Sequence, residues 1–482
     1  MLSKALLPLL SAGYAAAYMA EANNAHLEFV ASGSTASEST ASSSADISAD
    51  VTAVDANNLK HHDCHLQALE VALAAQQPDV GFTAPHILDL FEGWMMKFKK
   101  EYVTVEESME RLLIFLENHI VIEAHNAEES SFTLGHNEYS DLTTKEFHQR
   151  MKIGDYSPEI LMKEKKQFNF MESLSSSSTA AADTSSMLRG AGVDEETTAA
   201  VERRRLELAA SKSLFPDPDC EVDWGMKGLL GPVRNQGPCG ACWAFSTIGS
   251  IEAAIAIDKF SAFPSPLDPT NMGLVTPLSE QELIDCDTSY EHGCSGGLMI
   301  TTFNEEEHRN GLCTEADYPY IEDQGTCASK SCTPIAGSIV KNHVDVLPRQ
   351  TKLLKEALQV KPVTAAMVAS DPMFQFYSSG IFQSPTCGVV TKEMGDPDCS
   401  IMYEDQDTCL PDINHGVLVV GYGTDSDADG IQDFFKVKNS WGDSWGEGGF
   451  FRLARSDNDN PDPKKSWGEC AILSMLSYPV ME

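Results

Sequence analysis

Residues 236–257 read QGPCGACWAFSTIGSIEAAIAI, and the rest of the chain is organised around them. The stretch opens with turn chemistry, Gly237-Pro238 and Gly240, then becomes an apolar run with Ala244, Ile248, Ile251 and Ile255 at helical spacing. This pattern predicts a buried helix with Cys242 at or just inside its first turn. A helix start presents unpaired N–H groups and the positive end of the peptide dipole, both of which favour an anion. A cysteine so placed is held toward its thiolate, the nucleophilic form, near neutral pH.

Cys239 and Cys242 also form a Cys-x-x-Cys pair, which has two other readings. A thioredoxin-like redox motif requires a βαβ pattern around it, and a structural zinc site requires a second closely spaced pair. Neither context is present in the sequence. Cys239-Gly240-Ala241-Cys242-Trp243 instead matches, at every position, the C-G-[SA]-C-[WY] signature of papain-like proteases. The chain therefore resembles a papain-family, cathepsin L-like cysteine protease in precursor form. The resemblance implies an α+β fold: a helical domain and a sheet-rich, barrel-like domain facing each other across a cleft, preceded by a helical propeptide.

The 482 residues suffice for two or three compact units with tails, and the net charge of -38 excludes a nucleic-acid binder, which needs a basic stripe. Thirteen cysteines, twelve of them after residue 219, point to an oxidising compartment. Lys4, the apolar run Ala5 to Leu10 and the small-residue region Ala12 to Ala20 have the layout of a secretory signal peptide over residues 1–20. No later stretch is long and charge-free enough to span a bilayer. The expected address is the secretory pathway, ending in a lysosome, a vacuole or the extracellular space. No Asn-x-Ser/Thr sequon is present as an N-linked sorting handle.

Residues 21–86 read as a low-complexity precursor segment, Ser/Thr/Ala-rich from about 31 to 50. Cys64 lies among His61, His62 and His65, but four ligands within five positions cannot converge on one tetrahedral centre from one helical face, so no metal is expected. Residues 87–150 turn to amphipathic helices, with Phe91, Trp94, Met95 and Phe98 on one stripe and Leu112, Phe115, Leu116 and Ile122 on another. Glu107, Arg111, Phe115, Asn118, Ile122 and Asn126 share one slowly drifting face, suited to helix packing with internal polar links. This string is similar to the interrupted motif of cathepsin L-type propeptides. The run from Gly135 to Asp141, with Asn137 and Tyr139, resembles their second motif. The implied role is an inhibitory domain whose tail runs backwards through the cleft. Glu106, Glu107 and Asp141 are the carboxylates expected to release it on acidification.

Residues 151–213 read as a disordered linker, cut between about Arg203 and Cys220, and residues 214–482 as the peptidase domain. Ser279-x-x-Glu282 reads as a capping box, and Val363 to Val368, Gly416 to Tyr422 and Phe434 to Lys438 have strand character.

The resemblance supplies the partners of Cys242. His415, followed by Gly416-Val417-Leu418-Val419-Val420-Gly421-Tyr422-Gly423, matches the family histidine, and Asn439 in Asn439-Ser440-Trp441-Gly442 matches the residue that orients it, with Trp441 shielding the bond between them. Gln236 and the N–H of Cys242 are the implied oxyanion donors. His415 and Asn439 lie 173 and 197 residues past Cys242, where the family pattern has about 130 to 150. Extra sequence near 263–277, 388–412 and 425–433 accounts for the excess without interrupting a motif. The 388–412 insertion, just before His415, is placed to overhang the cleft.

By the same resemblance Cys239 pairs with Cys294, Cys286 with Cys327, and Cys470 with Cys409 or Cys387, Cys409 being favoured by its offset from His415. Cys313 with Cys332 is an added candidate. Leu298, Met299, Ala366, Gly416 and Met475 match the main specificity pocket, and their apolar character points to Leu, Phe or Val two residues before the scissile bond. Gly240, Gly296 and Gly297 give the substrate backbone close approach, and Trp441 completes the binding set. Asp425 to Gly430 begins like a calcium loop but has Lys436 where a bidentate Glu is required.

The expected function is a cysteine endopeptidase zymogen that uses no cofactor and acts as a monomer on protein and peptide substrates, with its own propeptide as inhibitor. One rival reading is a catalytically silent binding or storage protein, against which the intact Gln236, Cys242, His415 and Asn439 speak; the other, a propeptide released as a separate inhibitor, is compatible with the enzyme.

Overall fold

The structure is a computed structural model that describes residues 65–70, 72–73, 82–153, 221–261, 275–288, 291–306, 310–388, 412–427, 430–456 and 467–482. The signal segment at 1–20, His61, His62 and Cys64, most of the 151–213 linker and the insertion at 389–411 lie outside the described residues. No described helix is long and apolar enough to cross a membrane.

Helices α1 (Ala84–Phe98) and α2 (Val105–Asn126) pack through Phe91, Trp94, Leu112, Phe115 and Leu116, which form their own buried cluster. Thr104 caps α2 by accepting from the Glu107 N–H, and the Glu107 carboxylate reaches back to the Val103 N–H. One polar member of the α2 string links helix to helix, Arg111 meeting Glu146 of the helix Thr144–Met151 at 3.0 Å, and the other long-range bonds go to the chain between the helices. Arg111 donates to the Asp141 carbonyl at 3.1 Å, and Asn118 Nδ2 donates to the carbonyls of Ser140 at 2.9 Å and Leu142 at 3.0 Å. Asn126 grips both polar groups of Leu134 at 2.9 Å, and the Phe115 ring stacks on His136 at 4.2 Å. The string thus holds the segment 134–142 in place. Within that segment Asn137 Oδ1 accepts from the Tyr139 N–H at 2.9 Å, forming an Asx turn, and Asp141 takes Lys100 and Tyr102 at 3.0 Å each.

That segment is delivered to a sheet. Its strands are β1 (Phe132–Leu134), β2 (Val222–Asp223), β3 (Val340–Val346), β4 (Val363–Met367), β5 (Tyr377–Phe382), β6 (His415–Asp427), β7 (Gly430–Lys438), β8 (Phe450–Ala454) and β9 (Met475–Met481), in the order β1-β5-β8-β7-β6-β4-β9-β3 with β2 on β6. All neighbours are antiparallel except β5 and β8. β1 closes the β5 edge, Thr133 opposite Ser379, with Ile381 N–H donating to Ser131 O at 2.7 Å. Gly380 permits this approach: it has φ +90°, and a Cβ there would stand 2.4 Å from Ser131 O. After the Asx turn, α3 (Thr144–Met151) starts with a capping box between Thr143 and Glu146 and turns Phe147 edge-on to Trp441 at 5.1 Å.

Helix α4 (Cys242–Ser261) is buried on nearly every face, including Glu252, which explains its lack of amphipathic character. α5 (Glu280–Cys286) and α6 (Met299–Glu306) pack beside it. Ser279 caps α5 by accepting from Glu282 N–H, but Glu282 turns to the Cys313 N–H because the Ser279 N–H already donates to Cys313 O, so only half of the expected box forms. Cys239 bridges Cys294, Cys286 bridges Cys327 and Cys313 bridges Cys332. The favoured Cys409–Cys470 pairing is corrected: Cys470 bridges Cys387, their Cα atoms 4.6 Å apart. Gly388 lies against the Cys470 backbone and Val368 N–H donates to Cys470 O, which brings the exit of β5 to the loop before β9. Cys409 lies outside the described residues.

Phe147 is fully buried between Tyr139 and Trp441. Phe147→Ala is expected to destabilise the docked precursor by about 3 to 5 kcal/mol. The urea midpoint of the full chain measures this, and a midpoint equal to wild type would show that α3 contributes no docking energy.

Candidate active site

The Ala241 carbonyl accepts from Phe245 N–H at 3.2 Å, so Ala241 caps α4 and Cys242 is its first helical residue. The N–H of that residue belongs to the first-turn donors that a helix does not use internally. The preceding turn is fixed by the Cys239–Cys294 bridge, by Gly240 N–H donating to Cys294 O at 2.9 Å and by Trp243 Nε1 donating to Gly293 O at 3.1 Å. Gly297, expected to admit substrate, has a more immediate reason to lack a side chain: a Cβ there would lie 2.7 Å from the Trp243 ring. Gly296 has φ +111°, which favours glycine.

α4 crosses β6 at very short range. Ser246 Oγ donates to Val417 O, and a Cβ on Gly249 would be 3.1 Å from Leu418. A Cβ on Gly416 would be 3.3 Å from the Cys242 carbonyl carbon, so the residue after His415 touches the Cys242 backbone. His415 and Cys242 thus share one end of the α4–β6 contact. His415 Nε2 shares a 2.8 Å hydrogen bond with Asn439 Oδ1, which also accepts from Ser440 N–H at 2.8 Å. This leaves Nδ1 to exchange a proton with a thiol. Trp441, fully buried, covers the ring with centroids 4.8 Å apart. Burial pushes His415 down to about 4, against the pull of the Asn439 bond.

Gln236 is held on three sides. Its N–H donates to Ser440 O at 2.8 Å, its Oε1 accepts from Ser440 Oγ at 2.7 Å, and its Nε2 donates to Cys239 O at 2.9 Å. Nε2 also lies 3.5 Å from the carbonyl of Met151, in the segment that follows the α2-held turn. Further contacts extend that cover. Tyr139 donates its hydroxyl to Trp441 O at 3.2 Å, Gln375 donates to Tyr139 O and Leu142 O at 3.2 Å, and a Cβ on Gly240 would be 3.0 Å from Lys152 Cβ. Ser440, Gln375 and Asn235 were not singled out from the sequence. Ser440 alone had a local signal, its place inside Asn439-Ser440-Trp441-Gly442.

Gly416, Ala366 and Met475 lie in register across β6, β4 and β9, while Leu298 and Met299 pack in the same cluster, Met299 Sδ 3.1 Å from a Cβ placed on Gly416. Behind Asn439 lies a cavity of about 20 Å³ lined by Arg234, Glu252, Glu280 and Lys438, enough for one water. Arg234 pairs with Glu252 and Glu280, whose carboxyls burial pushes up. In the segment that began like a calcium loop, Asp425 pairs with Arg452 and Lys436 with Asp223, both within the β-sheet framework.

A family profile described as papain family cysteine protease matches residues 218–395 and 398–480, and the cathepsin propeptide inhibitor domain (I29) matches residues 91–147. The cysteine protease XCP2 of Arabidopsis thaliana is 35% identical over 393 residues, covering 82% of this chain and 86% of that protein. The chain belongs to the papain family of cysteine proteases. Digestive cysteine proteinase 2 of Homarus americanus is 30% identical over 420 residues, 85% of this chain and 97% of its own. Among solved structures, recombinant stem bromelain precursor aligns with a TM-score of 0.57 and 28% identity, covering 82% of this chain and 99% of its own. Digestive procathepsin L 3 of Tenebrio molitor aligns with a TM-score of 0.53 and 27% identity, covering 82% and 99%. This papain-family protein is a cysteine endopeptidase zymogen with its inhibitory propeptide in the same chain.

Buried histidines of the propeptide add acid-sensitive groups that the sequence did not single out. Burial lowers His119, His136 and His148 of the propeptide, His136 to about 3, as it lowers His415. Each binds fewer protons folded than unfolded, so its stability is full above about pH 6.5 and is lost as pH falls toward the folded value. Glu146 has the same sign: bonds from Thr143 and Arg111 outweigh burial and hold its carboxyl down, a contribution lost on acidification. The urea midpoint of the full chain carrying Cys242→Ser is expected to fall steadily from pH 7 to pH 4, and less steeply with His136→Phe. An equal slope in the two proteins would remove His136 from the account.

Proposed function

We propose that Cys242 is the nucleophile of this endopeptidase, His415 its proton partner, Asn439 the residue that orients the imidazole, and Gln236 Nε2 with the Cys242 N–H the oxyanion donors. The observation that carries this is the 2.8 Å His415–Asn439 bond on a strand whose next residue abuts the Cys242 backbone. The thiolate attacks a peptide carbonyl, imidazolium His415 protonates the leaving amine, and water then cleaves the acyl-enzyme with His415 as base. In the precursor Met151 O competes for the Gln236 amide, and the desolvated imidazole favours its neutral form. Release of the propeptide supplies both the vacant donor and the water that stabilises imidazolium.

The apolar set Leu298, Met299, Ala366, Gly416 and Met475 supports a preference for Leu, Phe or Val two residues before the scissile bond. Gly240 and Trp441, which the propeptide covers at Lys152 and Tyr139, line the path on either side. We further read the chain as a monomer of the secretory pathway, with a signal peptide over 1–20, the inhibitory domain over 87–150, a linker over 151–213, processing between about Arg203 and Cys220, and the peptidase domain over 214–482.

Cys242→Ala is expected to abolish peptide hydrolysis and epoxide labelling of the processed enzyme, and Gln236→Ala to lower kcat about 100- to 1000-fold. Labelling at any other cysteine would overturn the assignment. In a peptide library, Met475→Glu is expected to shift selection from Phe toward Arg at the second position; an unchanged profile would place Met475 outside the pocket.

A further inference from the structure

Tyr320 has no role in the mechanism above, yet it contacts the backbone of Gln236 and the first turn of the helix that Cys242 begins. Its hydroxyl donates to the Gln236 carbonyl at 2.6 Å, and its ring stands edge-on to Phe245, in the first turn of α4, at 5.0 Å. The peptide unit it holds is also gripped at its other end, where Gly237 N–H donates to Asn235 Oδ1 at 2.9 Å. Gly237 has φ +57°, so the plane of this peptide is set by a conformation most side-chain-bearing residues avoid. Tyr320 is itself anchored: its N–H donates to Glu315 Oε1 at 3.0 Å, and Glu315 pairs with Arg234. Burial raises the phenol above its ordinary value, with Glu322, Glu280 and Cys242 adding to the effect, so the hydroxyl stays a donor at every working pH.

We propose that Tyr320 is a positioning residue for catalysis: by clamping the Gln236 carbonyl it aims the Gln236 side-chain amide, with the Cys242 N–H, at the developing oxyanion. The inference rests on the reading of Gln236 as an oxyanion donor. Ser440 fixes the N–H and Oε1 of Gln236 from one side only. Without the Tyr320 bond the 236–237 peptide plane is held by its N–H alone, and a tilt there swings the amide at the end of the side chain. Oxyanion donors lose their effect over a few tenths of an ångström.

The test uses the processed enzyme and two reagents for the same sulfur. A peptide aldehyde adds Cys242 across its C=O bond, so that an S–C bond forms and the oxygen sits where the tetrahedral oxyanion stands. Iodoacetamide alkylates the sulfur with loss of iodide and creates no oxyanion. Tyr320→Phe is expected to weaken aldehyde inhibition roughly tenfold, to lower kcat with little change in KM, and to leave the alkylation rate unchanged; Gln236→Ala serves as the reference and weakens the aldehyde further. If Gln236→Ala weakens the aldehyde and Tyr320→Phe does not, the positioning role is overturned while the oxyanion reading stands. If neither does, both fall. If Tyr320→Phe slows alkylation as much as it weakens the aldehyde, the hydroxyl only supports the fold, and the proposal is again overturned. Should Tyr320→Phe not be recovered folded, 3-fluorotyrosine at position 320 strengthens the donor on a ring of nearly the same size; a tighter aldehyde complex with unchanged alkylation supports the clamp, and an unchanged aldehyde complex overturns it.

Discussion

The close crossing of α4 over β6 is the constraint on which the rest depends. A helix can approach a strand this tightly only where side chains are small or absent, and Gly416, Gly249 and Ser246 provide that at three successive levels of the contact. The result is that the start of a helix and the start of a strand, 173 residues apart in sequence, are fixed relative to each other through backbone rather than through long side chains. Rigid elements hold reacting groups better than loops do. Everything further out, from the Trp441 cover to the buried Arg234 cluster behind Asn439, keeps water and slack away from that junction.

The propeptide uses the sheet it blocks as its own foundation. One end is built into the β5 edge as an added strand, its middle is held by side chains of α2, and its far end crosses Trp441, Gln236 and Gly240. The inhibitor therefore needs no tight fit to the specificity pocket. Its hold is spread over backbone pairing, an aromatic contact and a set of hydrogen bonds from side-chain amides.

How far the sequence could be read differed from feature to feature. The helix at Cys242 was legible because turn residues followed by 3.6-residue spacing leave few alternatives, and the strand that begins at His415 and the one that ends just before Asn439 were visible as β-branched and aromatic runs. The α2 string was legible as a face but not as a grip, since periodicity says which residues point together and nothing of what they meet. Tyr320 was invisible for a related reason: it acts on Gln236 through one hydrogen bond across 84 positions, while Ser440, marked only by its place beside Asn439, acts through two across 204. The partner of Cys470 could not be read from offsets because bridging depends on Cα separation, and the long insertion before His415 displaced the spacing that favoured Cys409.

Cys242 is 5% exposed and carries no disulfide, while the eight other described cysteines are paired. Conditions that oxidise eight thiols threaten a ninth that must stay reduced. The cover at Met151 and Lys152 that denies the cleft to substrates denies it equally to oxidants and to stray thiols. The segment that closes the cleft thus lies over the one described cysteine sulfur outside the bridges.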